Sequence, residues 1–233
     1  MSMHIAFVSS PELRRHSEQL IAQVESGSDA SQADLMIDTV NRFTDEILTV
    51  FFVDLIDLLQ LNPVLSRAIH GAVATIKATI HGVARTIIHR LDNRSLMPLA
   101  DYMGGVMLTA PDTSGDPTPY IGFTVDDATR QGLQQLMQDM RAGEPRRHEK
   151  TLESLLLAIT DRALEVYMLT PLGLLELGFL LRKSAEGGVA VVRGAIHMVI
   201  RRLLPDLDGP QLLAVAHHLG GLLLADGKPY REH

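Results

Sequence analysis

At 233 residues the chain is long enough for one large domain or two of about 115. Its net charge of −7 argues against a general nucleic-acid binder, which presents a basic face. The absence of cysteine removes disulfides, thiolate metal sites and cysteine nucleophiles, and it fits a reducing compartment, so the cytosol is the expected location.

The first eight residues lack the basic start and long apolar run of a signal peptide, and His4–Val8 reads as a short strand. Ser9-Ser10-Pro11 punctuates the chain, and a helix is predicted over 11–25, ending near Gly27. A polar loop over 28–33 precedes a long helix over 33–61. Its apolar residues fall at helical spacing: Leu35, Val40, Phe43, Ile47, Leu48, Phe51, Leu55 and Leu58. Pro63 marks its end. A third helix covers 64–91, and Asp92 suits the cap of a fourth over 94–109. The stretch from Ala110 to Pro119, rich in Pro, Asp and Gly, reads as a plain linker. Its Asp112–Asp116 segment lacks the ligand spacing and terminal Glu of a calcium loop.

The same order then returns. At a shift of 116 residues, Ile5 and Phe7 fall on Ile121 and Phe123, Gln19-Leu20 on Gln135-Leu136, and Leu91-Asp92 on Leu207-Asp208. Matches of this kind run without a gap and far exceed what composition supplies. The second set comprises a strand over Tyr120–Val125 and helices over 127–141, 149–177, 180–204 and 210–225. Asp208 and Pro210 suit the start of the last one. Pro171, opposite Leu55, is expected to kink or break the second long helix. Gly104-Gly105 and Gly220-Gly221 recur inside an apolar helical pattern, which points to close packing where the fourth helices cross.

These patterns predict a mainly α fold built by tandem duplication. Residues 1–116 and 117–233 each supply one short strand and four helices, and they pack as a pseudo-twofold intramolecular dimer with one extensive core. The two strands are expected to pair antiparallel across the axis. Neither of the most apolar stretches reads as a membrane span: Ile47–Leu61 contains Asp54 and Asp57, and Ala163–Leu181 contains Glu165, Pro171 and Glu176.

Polar residues kept in both units are the candidates for chemistry. Lys77, His81 and Arg85 stand four apart on the third helix, and the second unit repeats the stripe as Arg193, His197 and Arg201. The simpler reading pairs these stripes with Asp45 and Asp161 as ion pairs between an acidic and a basic helix. The functional alternative is an anion site where the two stripes face each other. Metal chemistry is not expected. No helix shows a retained His-x-x-x-His or Glu-x-x-His, and His217-His218 falls on Asp101-Tyr102, outside the common pattern. No phosphate loop, nucleophile elbow or zinc-protease motif is present, and no cofactor is expected.

The function expected from these features is a non-enzymatic helical module that binds a protein partner or a small ligand. The alternatives are an enzyme or sensor with an anion site between the units, and membrane-surface association through the basic third helices. Overall acidity weighs against the membrane reading, nucleic acid is not an expected partner, and further pairing into homodimers is left open.

Overall fold

The computed structural model describes residues 3–26, 30–112, 114–225 and 227–229. Helices dominate, and a small antiparallel sheet joins segments from distant parts of the chain. The strands are β1 (Met3–Val8), β2 (Met107–Pro111), β3 (Pro117–Val125), β4 (Leu223–Ala225) and β5 (Lys228–Pro229), in the order β4-β1-β3-β2-β5. β1 and β3 run antiparallel at the centre, with Ile5 opposite Phe123, Ala6 opposite Gly122 and Phe7 opposite Ile121. On one side β2 pairs with β3 through Met107–Ile121, Leu108–Tyr120 and Thr109–Pro119. On the other, β4 pairs with β1 through Leu223–Ile5, Leu224–His4 and Ala225–Met3.

The sheet has more strands than the one per unit expected. Residues 107–109 and Leu223–Ala225, read from sequence as the ends of the fourth helices, are extended, and β2 runs on through Ala110 and Pro111 of the expected linker. A short apolar run fits helix or strand equally well by periodicity, and here pairing with β3 and β1 decides. The expected linker is mostly a hairpin connecting β2 to β3. Asp112 closes its turn by accepting from the amides of Ser114 at 2.7 Å and Asp116 at 3.0 Å, and Gly115 takes a φ of 88°.

The helices are α1 (Pro11–Glu25), α2 (Ala33–Leu48), α3 (Asp54–Leu59), α4 (Pro63–Ile88), α5 (Asn93–Val106), α6 (Asp127–Ala142), α7 (Glu149–Leu164), α8 (Thr170–Leu174), α9 (Phe179–Leu203) and α10 (Gly209–Gly221). Their starts follow from local chemistry. Ser10, Asp92, Asp126 and Asp208 accept from the amides of Leu13, Ser95, Thr129 and Gln211. Those bonds hold the carboxyls of Asp92 and Asp126 below the ordinary aspartate range. The predicted end of α1 at Gly27 lies outside the described residues, whereas α6 does end at Gly143, with a φ of 136°.

Neither long second helix is α-helical throughout. α2 passes into α3 through a π-helical turn at Thr49–Val53, and α7 into α8 through one at Glu165–Leu169. Pro171 therefore does not break a helix in midcourse. It directly follows the π-turn as the second residue of α8, and the helical run continues to Leu174.

The largest buried cluster draws on both ends of the chain, with Ile5, Phe7, Leu48, Ile56 and Ile76 beside Phe123, Leu133, Ile159, Ile196 and Leu212. A smaller one gathers Leu20, Met36, Ile87 and Leu96 with Leu175 and Ala185. α4 and α9 lie together, and a Cβ on Gly188 would sit 2.7 Å from Val83 Cγ2. The retained Gly-Gly pairs do not mark a crossing of α5 and α10. α5 packs on α1 and α10 on α6, Gly220 backs onto Met137 of α6, and Gly105 and Gly221 face open space. Among the described residues no helix is long and apolar enough to cross a membrane.

Candidate functional site

The matched charges form two separate clusters. In the first, Lys77 Nζ on α4 lies 2.8 Å and His81 Nε2 3.5 Å from Asp45 Oδ1 on α2. In the second, Arg193 Nε on α9 lies 3.0 Å and His197 Nε2 3.1 Å from Asp161 Oδ1 on α7. Arg201 Nε is 3.7 Å from Glu153, and Arg85 is exposed. Among the described residues no hydrogen bond or ion pair joins one stripe to the other. Each histidine and its basic neighbour instead share one aspartate from an adjacent helix. Both aspartates are more than two-fifths exposed, so solvent screens these pairs, and each contributes at most about 1 kcal/mol. Their geometry is that of α2–α4 and α7–α9 fasteners. Among the described residues, no group of three or more His, Asp or Glu side chains could hold a metal ion.

A second arrangement was hidden in the sequence. In a π-turn the backbone ladder slips by one residue and leaves a carbonyl without its usual donor. In the second turn, the amide of Thr170 bonds to Glu165 O and Pro171 has no N–H, so Val166 O needs another partner. Tyr102 on α5 supplies it, its hydroxyl donating to Val166 O at 2.8 Å. In the first turn the amide of Asp54 bonds to Thr49 O, and His218 Nε2 on α10 lies 2.9 Å from Val50 O. Because a carbonyl only accepts, Nε2 must carry the proton. Tyr102 and His218 stand 116 residues apart, as do Val50 and Val166. His218, set aside from sequence because it matched no histidine, thus mirrors a tyrosine. Identity was the wrong signal, and hydrogen-bond donation was the shared property.

Around these turns lies a cavity of about 270 Å³. Its walls come from both parts of the chain: Phe43, Phe51, Phe52 and Leu55 from α2, α3 and the turn between them, Ile76 and Ile80 from α4, Tyr102 and Val106 from α5. Ala163, Tyr167 and Met168 from α7 and its turn, Ile196 and Val199 from α9, and Val215 from α10 complete them. Among the described residues, no charged side chain and no histidine lines it. The polar contributors are Ser17, Thr44, Tyr102, Thr160 and Tyr167. Phe52, Leu55, Met168, Pro171 and Leu172 are lining residues that remain partly exposed.

Two aromatic contacts shape one wall. The Tyr167 ring meets Phe43 edge-on at 4.9 Å and 74°, and Phe123 at 5.5 Å and 87°. Burial, with a smaller push from nearby Tyr102, raises the Tyr167 phenol far above its ordinary range. It is therefore an uncharged hydrogen-bond donor at neutral pH.

No sequence pattern announced the cavity. Each lining residue reads as an ordinary core position, and only their assembly shows that the core stops short of filling its own centre. In comparisons with family models, curated proteins and solved structures, the chain matched none.

Proposed function

We propose that this protein binds an uncharged, apolar small molecule in the cavity between its two units, and that it does so without turnover. The observation that carries the reading is the lining: about 270 Å³ of space, walled by aliphatic and aromatic side chains with no charge facing it among the described residues. Apolar voids of this kind bind rather than fill with water. An engineered apolar cavity of about 150 Å³ stays dry and takes up benzene. By the same proportion, this one accommodates about eleven non-hydrogen atoms. Ligand pockets are mostly apolar with few polar groups, which is the pattern here.

The unit structure belongs to the same proposal. Residues 1–116 and 117–233 are two copies of one unit packed about a pseudo-twofold axis, with the cavity between them. Three of the five β2–β3 pairs, shifted by 116 residues, reproduce the three β4–β1 pairs. Ala6 faces Gly122, the residue 116 positions later. The π-turns at Thr49–Val53 and Glu165–Leu169 keep the same shift.

Isothermal titration with n-butylbenzene, about ten non-hydrogen atoms, tests both the binding and the size of the ligand. Saturable one-to-one binding with a negative heat-capacity change is expected, since apolar surface is buried on association. Absence of binding by butylbenzene and by smaller alkylbenzenes overturns it.

A further inference from the structure

We infer that the ligand carries one uncharged hydrogen-bond acceptor, such as a ketone, ester or ether oxygen, and that Tyr167 donates to it. This rests on the cavity being a binding site. Among the described residues the Tyr167 hydroxyl makes no hydrogen bond, and the residue lines a cavity whose walls are mostly apolar. Tyr167 is partly buried, and a hydroxyl on a mostly apolar wall with no protein partner is left for a ligand's acceptor to use.

The other polar groups around the cavity are already bonded or stay close to their own helices. Tyr102 donates to Val166 O, and Thr44 Oγ1 to Val40 O on its own helix. Ser17 and Thr160 carry short hydroxyls held close to their own helices, so they reach less far into the cavity than a tyrosine does. Tyr167 is also held in place, with its ring edge-on to Phe43 and Phe123, so its donor is pre-positioned.

Charge on the ligand is excluded by the same lining. A carboxylate or ammonium would be desolvated with no opposite charge to meet. The phenol itself, raised by burial, stays protonated and offers a proton rather than a negative charge. The position 116 residues before Tyr167 is Phe51, which also lines the cavity and has no hydroxyl. At this pair of positions a site of near-twofold shape therefore has a donor on one side only. A ligand with one acceptor binds in one orientation.

The test compares n-butylbenzene with butyrophenone, the same carbon skeleton bearing a carbonyl, on the wild-type chain and on Tyr167→Phe. We expect wild type to favour the ketone by about tenfold once the solubility difference is removed, and Tyr167→Phe to lose that preference while butylbenzene affinity stays within about twofold. Equal binding of both probes by wild type, or a preference that survives Tyr167→Phe, overturns the assignment and leaves the cavity reading standing. Binding of neither probe and of no smaller alkylbenzene overturns the cavity reading itself. The carbonyl stretch of butyrophenone bound to wild type gives a readout that needs no variant. A shift to lower wavenumber than in alkane solvent is expected, and an alkane-like frequency counts against the donor.

Discussion

A Cβ on Gly122 would lie 2.6 Å from that of Ala6 and 2.8 Å from the carbonyl oxygen of Ile5, closer than real side chains approach. Both obstacles belong to the paired strand and cannot swing aside, so β1 and β3 would have to separate at the centre of the sheet. Gly122→Ala is expected to cost about 1–3 kcal/mol, the usual penalty of overpacking. Gly187 offers the contrast. It sits inside α9 with nothing within 4 Å of the place an added methyl would take, so Gly187→Ala should be neutral or stabilising by up to about 1 kcal/mol. Urea denaturation of the two variants checks both signs. Matching the sequence to itself at a shift of 116 ranks these glycines the other way, because Gly71 falls on Gly187 whereas Gly122 falls on Ala6. Recurrence at that spacing measured the space around a helix poorly. Close approach between strands, visible only once they pair, measured it well.

Among the elements, the two π-turns carry the most chemistry. Each places an extra residue in the helix and frees a carbonyl, and a helix from the other part of the chain answers it: α5 reaches Val166, and α10 reaches Val50. Removing the donor while keeping the ring isolates that bond. Tyr102→Phe is expected to destabilise the chain by about 1–3 kcal/mol, since Val166 O loses its donor in a setting where Pro171 offers none. Chemical denaturation checks it, and an unchanged midpoint would mean that the carbonyl is hydrated. The ordinary parts of these elements were legible in the sequence. Asp92 and Asp208 cap their helices as expected because a cap is satisfied within four residues of its own chain. The π-turns were not legible, since the apolar spacing over 33–61 fits a continuous helix and one inserted residue hardly disturbs the pattern.

At the scale of the molecule, the cavity belongs to neither half of the chain alone. Phe43, Phe51 and Ile76 come from one, and Ala163, Tyr167 and Ile196 from the other. Filling it should therefore block a ligand without disturbing either half. Ala163→Leu adds three carbons to a wall residue, and we expect butylbenzene affinity to fall at least tenfold while the urea midpoint holds or rises. An affinity that does not change would place the probe elsewhere. The charge clusters make a second point at this scale. Asp45 with Lys77 and His81, and Asp161 with Arg193 and His197, each lie within one half, so they fasten neighbouring helices and do not face the cavity.

The sequence by itself determined the helical character, the capped helix starts and the two central strands. These rest on periodicity and on contacts that a side chain makes close to home. Tertiary structure alone decided that the ends of the fourth helices become strands, because an apolar run takes the form of whatever it pairs with. It alone decided that Tyr102 and His218 share a role, because two unlike side chains can donate to the same kind of carbonyl. It also decided that the core has a hollow centre. A void is set by the sum of many side-chain volumes from elements on both sides of the chain, and no single residue records it.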